Sequence, residues 1–131
     1  MTDFFDERNL PELVEEMHVK GWLDLKNSKV EKLPDNLTVD CTLNLSGSSI
    51  KELPENLTVG YELYLYKTTI NKIPDSLNFN KNPDNIKGYI FVDDLSKMSF
   101  SDKFKSKVID KRMFKEELYK VIKKEEEEYD F

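Results

Sequence analysis

Leu23-Asp24-Leu25…Leu33-Pro34…Leu37-Thr38-Val39 is followed by Leu43-Asn44-Leu45…Leu53-Pro54…Leu57-Thr58-Val59, and then by Leu63-Tyr64-Leu65…Ile73-Pro74…Leu77-Asn78-Phe79. The three stretches are in phase at a period of 20 residues. Self-similarity at this spacing marks a solenoid, in which each unit buries its apolar residues only by stacking on its neighbours. Within a unit, Leu-x-Leu alternates at period two and reads as a very short strand with both leucines inward. A polar bend follows, then Val30, Ile50 or Ile70. The Leu-Pro or Ile-Pro pair then rules out a long helix, because proline lacks an amide donor and restricts the residue before it. Asp35-Asn36, Glu55-Asn56 and Asp75-Ser76 supply turn chemistry, and a second short alternation, Leu37/Val39 and its copies, leads into the next strand. The expectation is an α/β repeat: a short solenoid whose parallel strands stack ~4.8 Å apart and line the inner face of an arc.

These residues resemble the leucine-rich repeat in its shortest, 20-residue form, as in bacterial and bacteriophage proteins with a proline in the return segment. The near-identical Leu-Pro-(Asp/Glu)-Asn-Leu-Thr-Val strings look most like small phage-encoded repeat proteins. The resemblance spans about residues 19–79. It implies the solenoid fold, and it also implies an inhibitor of a host protein or defence nuclease, acting by steric blocking or by acidic mimicry of nucleic acid. Where the usual repeat has Asn after the strand, this chain has Ser28, Ser48 and Thr68, whose hydroxyls are expected to bond buried backbone groups. Larger relatives carry a catalytic cysteine domain for ubiquitin transfer. The single cysteine here, Cys41, lies inside a repeat, so that activity is not carried over.

The ends are read as caps, since terminal coils would otherwise expose apolar faces and strand edges. Residues 1–21 form the N-terminal cap in this reading: Asn9-Leu10-Pro11 looks like a degenerate Leu-Pro half-repeat turned into a helix, capped by Asn9, with Leu13, Val14 and Met17 covering the first coil. Residues 22–79 hold the repeats. Residues 80–100 hold a turn-rich loop and an irregular fourth strand at Gly88-Tyr89-Ile90-Phe91-Val92, which echoes Gly60-Tyr61-Glu62-Leu63-Tyr64. Residues 101–124 form a C-terminal helical cap, with Phe104 and Val108 in a short helix and Phe114, Leu118, Val121 and Ile122 in an apolar stripe. Residues 125–131 are an acidic tail that includes Glu125, Glu126, Glu127 and Glu128.

The 131 residues carry a net charge of −6, unevenly placed: −6 over residues 1–100, +5 over 101–124 and five acids beyond. No apolar run reaches membrane-spanning length and the N-terminus lacks a secretory pattern. With a lone cysteine, this suggests an acidic protein of a reducing compartment, the cytoplasm of the producing or infected cell.

A solenoid's function lies in what its exposed face touches. Residues flanking the inward leucines form three stripes: Trp22/Thr42/Glu62, Asp24/Asn44/Tyr64 and Lys26/Ser46/Tyr66, with Tyr89 beside the tyrosines on the next strand. The candidate partner-binding residues are Trp22, Asp24, Lys26, Asn44, Ser46, Glu62, Tyr64, Tyr66 and Tyr89, because aromatic side chains anchor interfaces at low entropic cost. The bland alternative is that the tyrosines support the C-terminal cap. The basic segment Lys103–Lys124 offers a second, nucleic-acid-binding alternative, though a solvated face is the simpler reading in an acidic chain. His18 has no motif around it, no phosphate loop or metal-ligand spacing occurs, and Asp93-Asp94 alone is too little for a metal. The reading is a non-enzyme with no catalytic residues, no metal and no cofactor. It binds a protein rather than nucleic acid or membrane, and its oligomeric state stays open.

Overall fold

In the computed structural model, residues 3–79 and 88–111 are described. They form a parallel-strand β-solenoid of about five turns. One wall is a six-stranded parallel sheet made of β1 (Asp3–Asp6), β3 (Gly21–Asp24), β5 (Leu43–Asn44), β7 (Glu62–Tyr64), β9 (Tyr89–Val92) and β10 (Val108–Asp110), in that order. The facing wall is a four-stranded sheet of β2 (His18–Val19), β4 (Thr38–Val39), β6 (Thr58–Val59) and β8 (Asn78–Phe79).

The repeat sets the register. Leu23 pairs with Leu43 and Leu43 with Leu63, while Val19, Val39, Val59 and Phe79 pair in line on the other wall. Identical inward residues therefore stack, and Leu23, Leu25, Leu37, Leu43, Leu45, Leu57 and Leu63 are wholly shielded from solvent. The connections use left-handed backbone at two points in the first two repeats and at one in the third, where Ser76 does not adopt it. After the first strand these are Asn27, Gly47 and Lys67 at φ 57°, 69° and 54°, and before the second they are Glu16, Asn36 and Asn56 at 61°, 61° and 55°. Asparagine and glycine suit that conformation, and glutamate and lysine tolerate it at a cost. The return turns are tied across coils: the Asn56 amide donates to Asn36 Oδ1 at 3.0 Å, and Glu55 N–H to Asp35 Oδ1 at 3.0 Å.

The hydroxyls of the bend do not form a common ladder. Thr68 Oγ1 donates to the Leu65 carbonyl at 2.8 Å, Ser48 Oγ accepts from Ile50 N–H at 3.4 Å, and Ser28 Oγ is buried without a partner.

Both caps depart from the sequence expectation, and no α-helical element lies among the described residues. On the N-terminal side the described residues open instead with β1, which pairs with β3 so that Phe5 lies against Leu23. The degenerate half-repeat starts at Leu13, not Leu10. His18 pairs with Thr38, and Met17 O accepts from Thr38 N–H as Leu37 O does from Thr58 N–H. Glu16 also shares the left-handed backbone of Asn36. Leu13-Val14-Glu15-Glu16-Met17-His18-Val19 is thus the second half of a coil that has lost its proline and asparagine. Leu13 and Met17 pack on the core, whereas Val14, in the proline's place, is 50% exposed. Asn9 caps no helix and bonds back to β1.

At the C-terminus, Phe104 closes a 3₁₀ turn (Asp102–Phe104) and Val108 opens β10, both buried. Extended and 3₁₀ backbone thus occupies the start of the expected helical cap, because β10 continues the sheet by pairing Val108 with Ile90. The stripe from Phe114 to Ile122, the loop at 80–87 and the acidic tail lie outside the described residues. The irregular fourth strand is present as β9. A second 3₁₀ turn, Leu95–Lys97, follows it, with Asp94 accepting from Ser96 N–H. Among the described residues no helix is long and apolar enough to cross a membrane.

Candidate functional site

The outward side of the six-stranded sheet holds the nine partner-binding residues singled out from the sequence, but it does not join them into one site, and Glu125–Glu128 lie outside the described residues. Trp22 lies near one end. Its ring is 6.3 Å from that of Phe4 on β1, and the two are the most exposed aromatics described, at 41% and 53%. An open hollow beside them is lined by Phe4, Asp6, Arg8, Asp24 and Lys26. Arg8 donates to Asp6 at 2.7 Å and holds that carboxyl below its usual range. Asn44 and Ser46, on the middle strand and just past it, are small and polar. Ser46 Oγ accepts from Tyr66 N–H at 3.2 Å, so it helps hold the coil.

Towards the other end, β7 and β9 bring Glu62, Tyr64, Tyr66 and Tyr89 together with Phe91. The Tyr64 and Phe91 rings stack at 4.7 Å and 12°, and Tyr66 and Tyr89 lean on Phe91 at 6.4 Å each. The stack exists because Tyr64 and Phe91 are register partners, as are Glu62 and Tyr89. Tyr64 OH donates to Glu62 Oε2 at 2.6 Å. Burial, and then that carboxylate, push the Tyr64 phenol up to about 12. Burial also raises Tyr66, with Asp93 and Asp110 adding to it. The Lys111 ammonium sits 5.8 Å from the Tyr66 ring.

Phe91 and Phe4 are missing from the sequence-derived set. The echo between Gly88-Tyr89 and Gly60-Tyr61 pointed to a register one residue away from the real one, and a one-residue slip in a strand exchanges its two faces. The usable signal lay in Ile90 and Val92: two β-branched aliphatics alternating with aromatics mark the inward side, and both are buried.

Elsewhere the chemistry is sparse. Burial and Asp40 raise the Cys41 thiol, the opposite of what activates a nucleophile. His18 Nε2 lies 2.7 Å from Asp40 Oδ1 at the surface. Among the described residues, no group of three or more His, Cys, Asp or Glu is gathered as metal ligands would be. The lysines at the start of the basic segment lie on the body of the molecule. Lys103 donates to the Asp75 carbonyl and sits over Phe104, and Lys107 sits 5.2 Å from the Phe79 ring. Compared with protein-family models, curated proteins and solved structures, the chain finds no match.

Proposed function

We propose that this chain is a non-catalytic repeat protein of the leucine-rich-repeat type that binds a protein partner through the outward face of the six-stranded sheet. The observation that carries this reading is the four-ring cluster of Tyr64, Tyr66, Tyr89 and Phe91 on that solvent-facing wall. Pre-stacked rings present a large apolar area with little freedom left to lose, and the Tyr64–Glu62 and Lys111–Tyr66 contacts ring it with polar groups. That is the make-up of an interface anchor. Thr42, Asn44 and Ser46 leave a low strip between the cluster and Trp22, so a partner can rest on both aromatic edges. Six strands span about 25 Å, which suits one helix, edge or loop of a partner at the small end of specific interfaces.

Nucleic-acid binding by the segment from Lys103 is the weaker reading, since Lys103, Lys107 and Lys111 are each laid over an aromatic ring. Within the favoured reading, inhibition of a host protein by steric blocking fits an aromatic patch on the solvent side of the sheet, whereas acidic mimicry rests on Glu125–Glu128.

The test is affinity capture from lysate of the source or host cell, read by mass spectrometry, with Tyr64→Ala/Tyr66→Ala and a truncation after Lys124 alongside. One protein enriched by wild type and lost with the tyrosine variant supports the aromatic face. Loss on truncation alone moves the site to the tail. Undiminished capture by both variants refutes the proposal.

A further inference from the structure

At the outer end of the solenoid, β1 has β3 as its one strand partner among the described residues. Alternate residues of a parallel strand turn their peptide groups to opposite sides. Asp3 N–H donates to the Lys20 carbonyl at 3.2 Å, so Asp3 and Phe5 face β3, and the peptide groups of Phe4 and Asp6 face outward along the edge. Asn9 occupies that edge. Its Nδ2 donates to the Phe4 carbonyl at 3.0 Å, its Oδ1 accepts from Asp6 N–H at 2.8 Å, and its own N–H donates to the Asp6 carbonyl at 3.3 Å. A residue of a further parallel strand would offer this same pair: one donor to the carbonyl of residue i and one acceptor to the N–H of residue i+2. The Asn9 side-chain amide stands in for a peptide group of that strand.

We propose that the β1 edge is a strand-pairing surface and that Asn9 holds it shut against a second copy of this chain. An open edge on a parallel stack is a template for its own repeat, and Phe4, exposed on the adjoining sheet face, would be covered by such an addition. Arg8 ties Asp6 down within the chain beside that edge.

The experiment is sedimentation velocity on the full chain over a hundredfold concentration range, with wild type, Asn9→Ala and Asn9→Ala/Phe4→Pro. Wild type is expected to remain monomeric. Asn9→Ala should form species whose mass rises with concentration. Proline at position 4 takes away an outward N–H, which an edge strand tolerates and an incoming strand does not, so the double variant should return to the monomer. Hydrogen exchange on wild type gives an arm that does not depend on how the variants fold: the Asp6 amide should exchange at least tenfold slower than an unstructured amide. The proposal is overturned if Asn9→Ala stays monomeric throughout, if the double variant assembles as readily as the single one, or if the wild-type Asp6 amide exchanges at the unstructured rate.

Discussion

Replacing Leu43 with alanine tests whether the coils share one core. The Leu43 side chain is wholly buried and is sandwiched in register between Leu23 and Leu63. Coils on both sides are pinned by backbone bonds, Leu23 N–H to Thr42 O at 3.0 Å and Leu45 N–H to Tyr64 O at 2.9 Å, so the walls are poorly placed to collapse into the space left behind. Buried Leu→Ala changes cost about 2–5 kcal/mol, with the rigid sites at the upper end, which puts this one at ~4 kcal/mol. Leu13→Ala is the control: Leu13 is half-buried and packs on the core from the end coil, so its cost should be ~1–2 kcal/mol. Urea unfolding followed by circular dichroism measures both; with a slope of about 2 kcal/mol/M, the Leu43 midpoint falls by about 2 M. Trp22 is the single tryptophan, on β3, so its fluorescence reports the first coils separately. Coupling in a solenoid runs only through neighbours, and a cavity at the middle coil should make the fluorescence and dichroism transitions part company. A Leu43→Ala cost no greater than that of Leu13→Ala would refute the shared core.

Three further outcomes follow from particular residues. Tyr64 has its phenol raised to about 12 in the folded chain against about 10 unfolded, so its share of stability is full below pH 10 and drains away between pH 10 and 12. In an ultraviolet tyrosinate titration the Tyr64 phenol, identified by its loss in Tyr64→Phe, should titrate late, and Glu62→Gln should bring it earlier; a Tyr64 phenol unmoved by Glu62→Gln would count against the contact. Lys67→Gly relieves a left-handed lysine and should gain ~0.5–1 kcal/mol, while Gly47→Ala, whose new Cβ would lie 2.2 Å from Asn27 Oδ1, should lose ~1 kcal/mol; thermal melting checks both signs. A Tyr64→Ala/Phe91→Ala double-mutant cycle in urea should return a coupling of about 0.5–1.5 kcal/mol, and a coupling near zero would dissolve the stacked pair.

How much of this was legible follows from what each residue answers to. The inward leucines repeat because each must fit the copy above and below it, so their period gave the solenoid, the parallel stacking and the residues of the core. The first coil is masked in the sequence because the proline at position 11 stands out of phase with Pro34, Pro54 and Pro74. The position that stacks under Leu33 is Leu13, and the neighbours that would have marked it, proline and asparagine, are Val14 and Glu16. Backbone geometry conserved what the side chains did not, since Glu16 and Asn36 share φ 61°. At the C-terminal side, the four-residue spacing of Phe104 and Val108 fits a helical face. It fits equally well a 3₁₀ turn feeding a strand, and an unpaired β9 edge decided for the strand.

The aromatic rows obey a different constraint. Where successive strands lie 20 residues apart, as in Trp22, Thr42 and Glu62 or Asp24, Asn44 and Tyr64, the outward positions share no residue type. Among the described residues, the aromatic contacts between coils sit where the spacing departs from 20: Phe4 meets Trp22 across an offset of 18, and Phe91 meets Tyr64, with Tyr66 beside it, across an offset of 27. An odd-length coil would by simple counting turn Phe91 inward. It faces outward because the strand pairs Ile90 with Leu63, burying the aliphatic side chain and leaving the rings on the solvent side. Burial of Ile90 and Val92 therefore determines where the cluster lies, and a change that reversed their preference would move the rings without touching them. Exchanging the pattern, with Ile90→Tyr/Phe91→Ile, should remove the stack with Tyr64 while keeping the strand's apolar content. That separates the position of the rings from the hydrophobicity of β9.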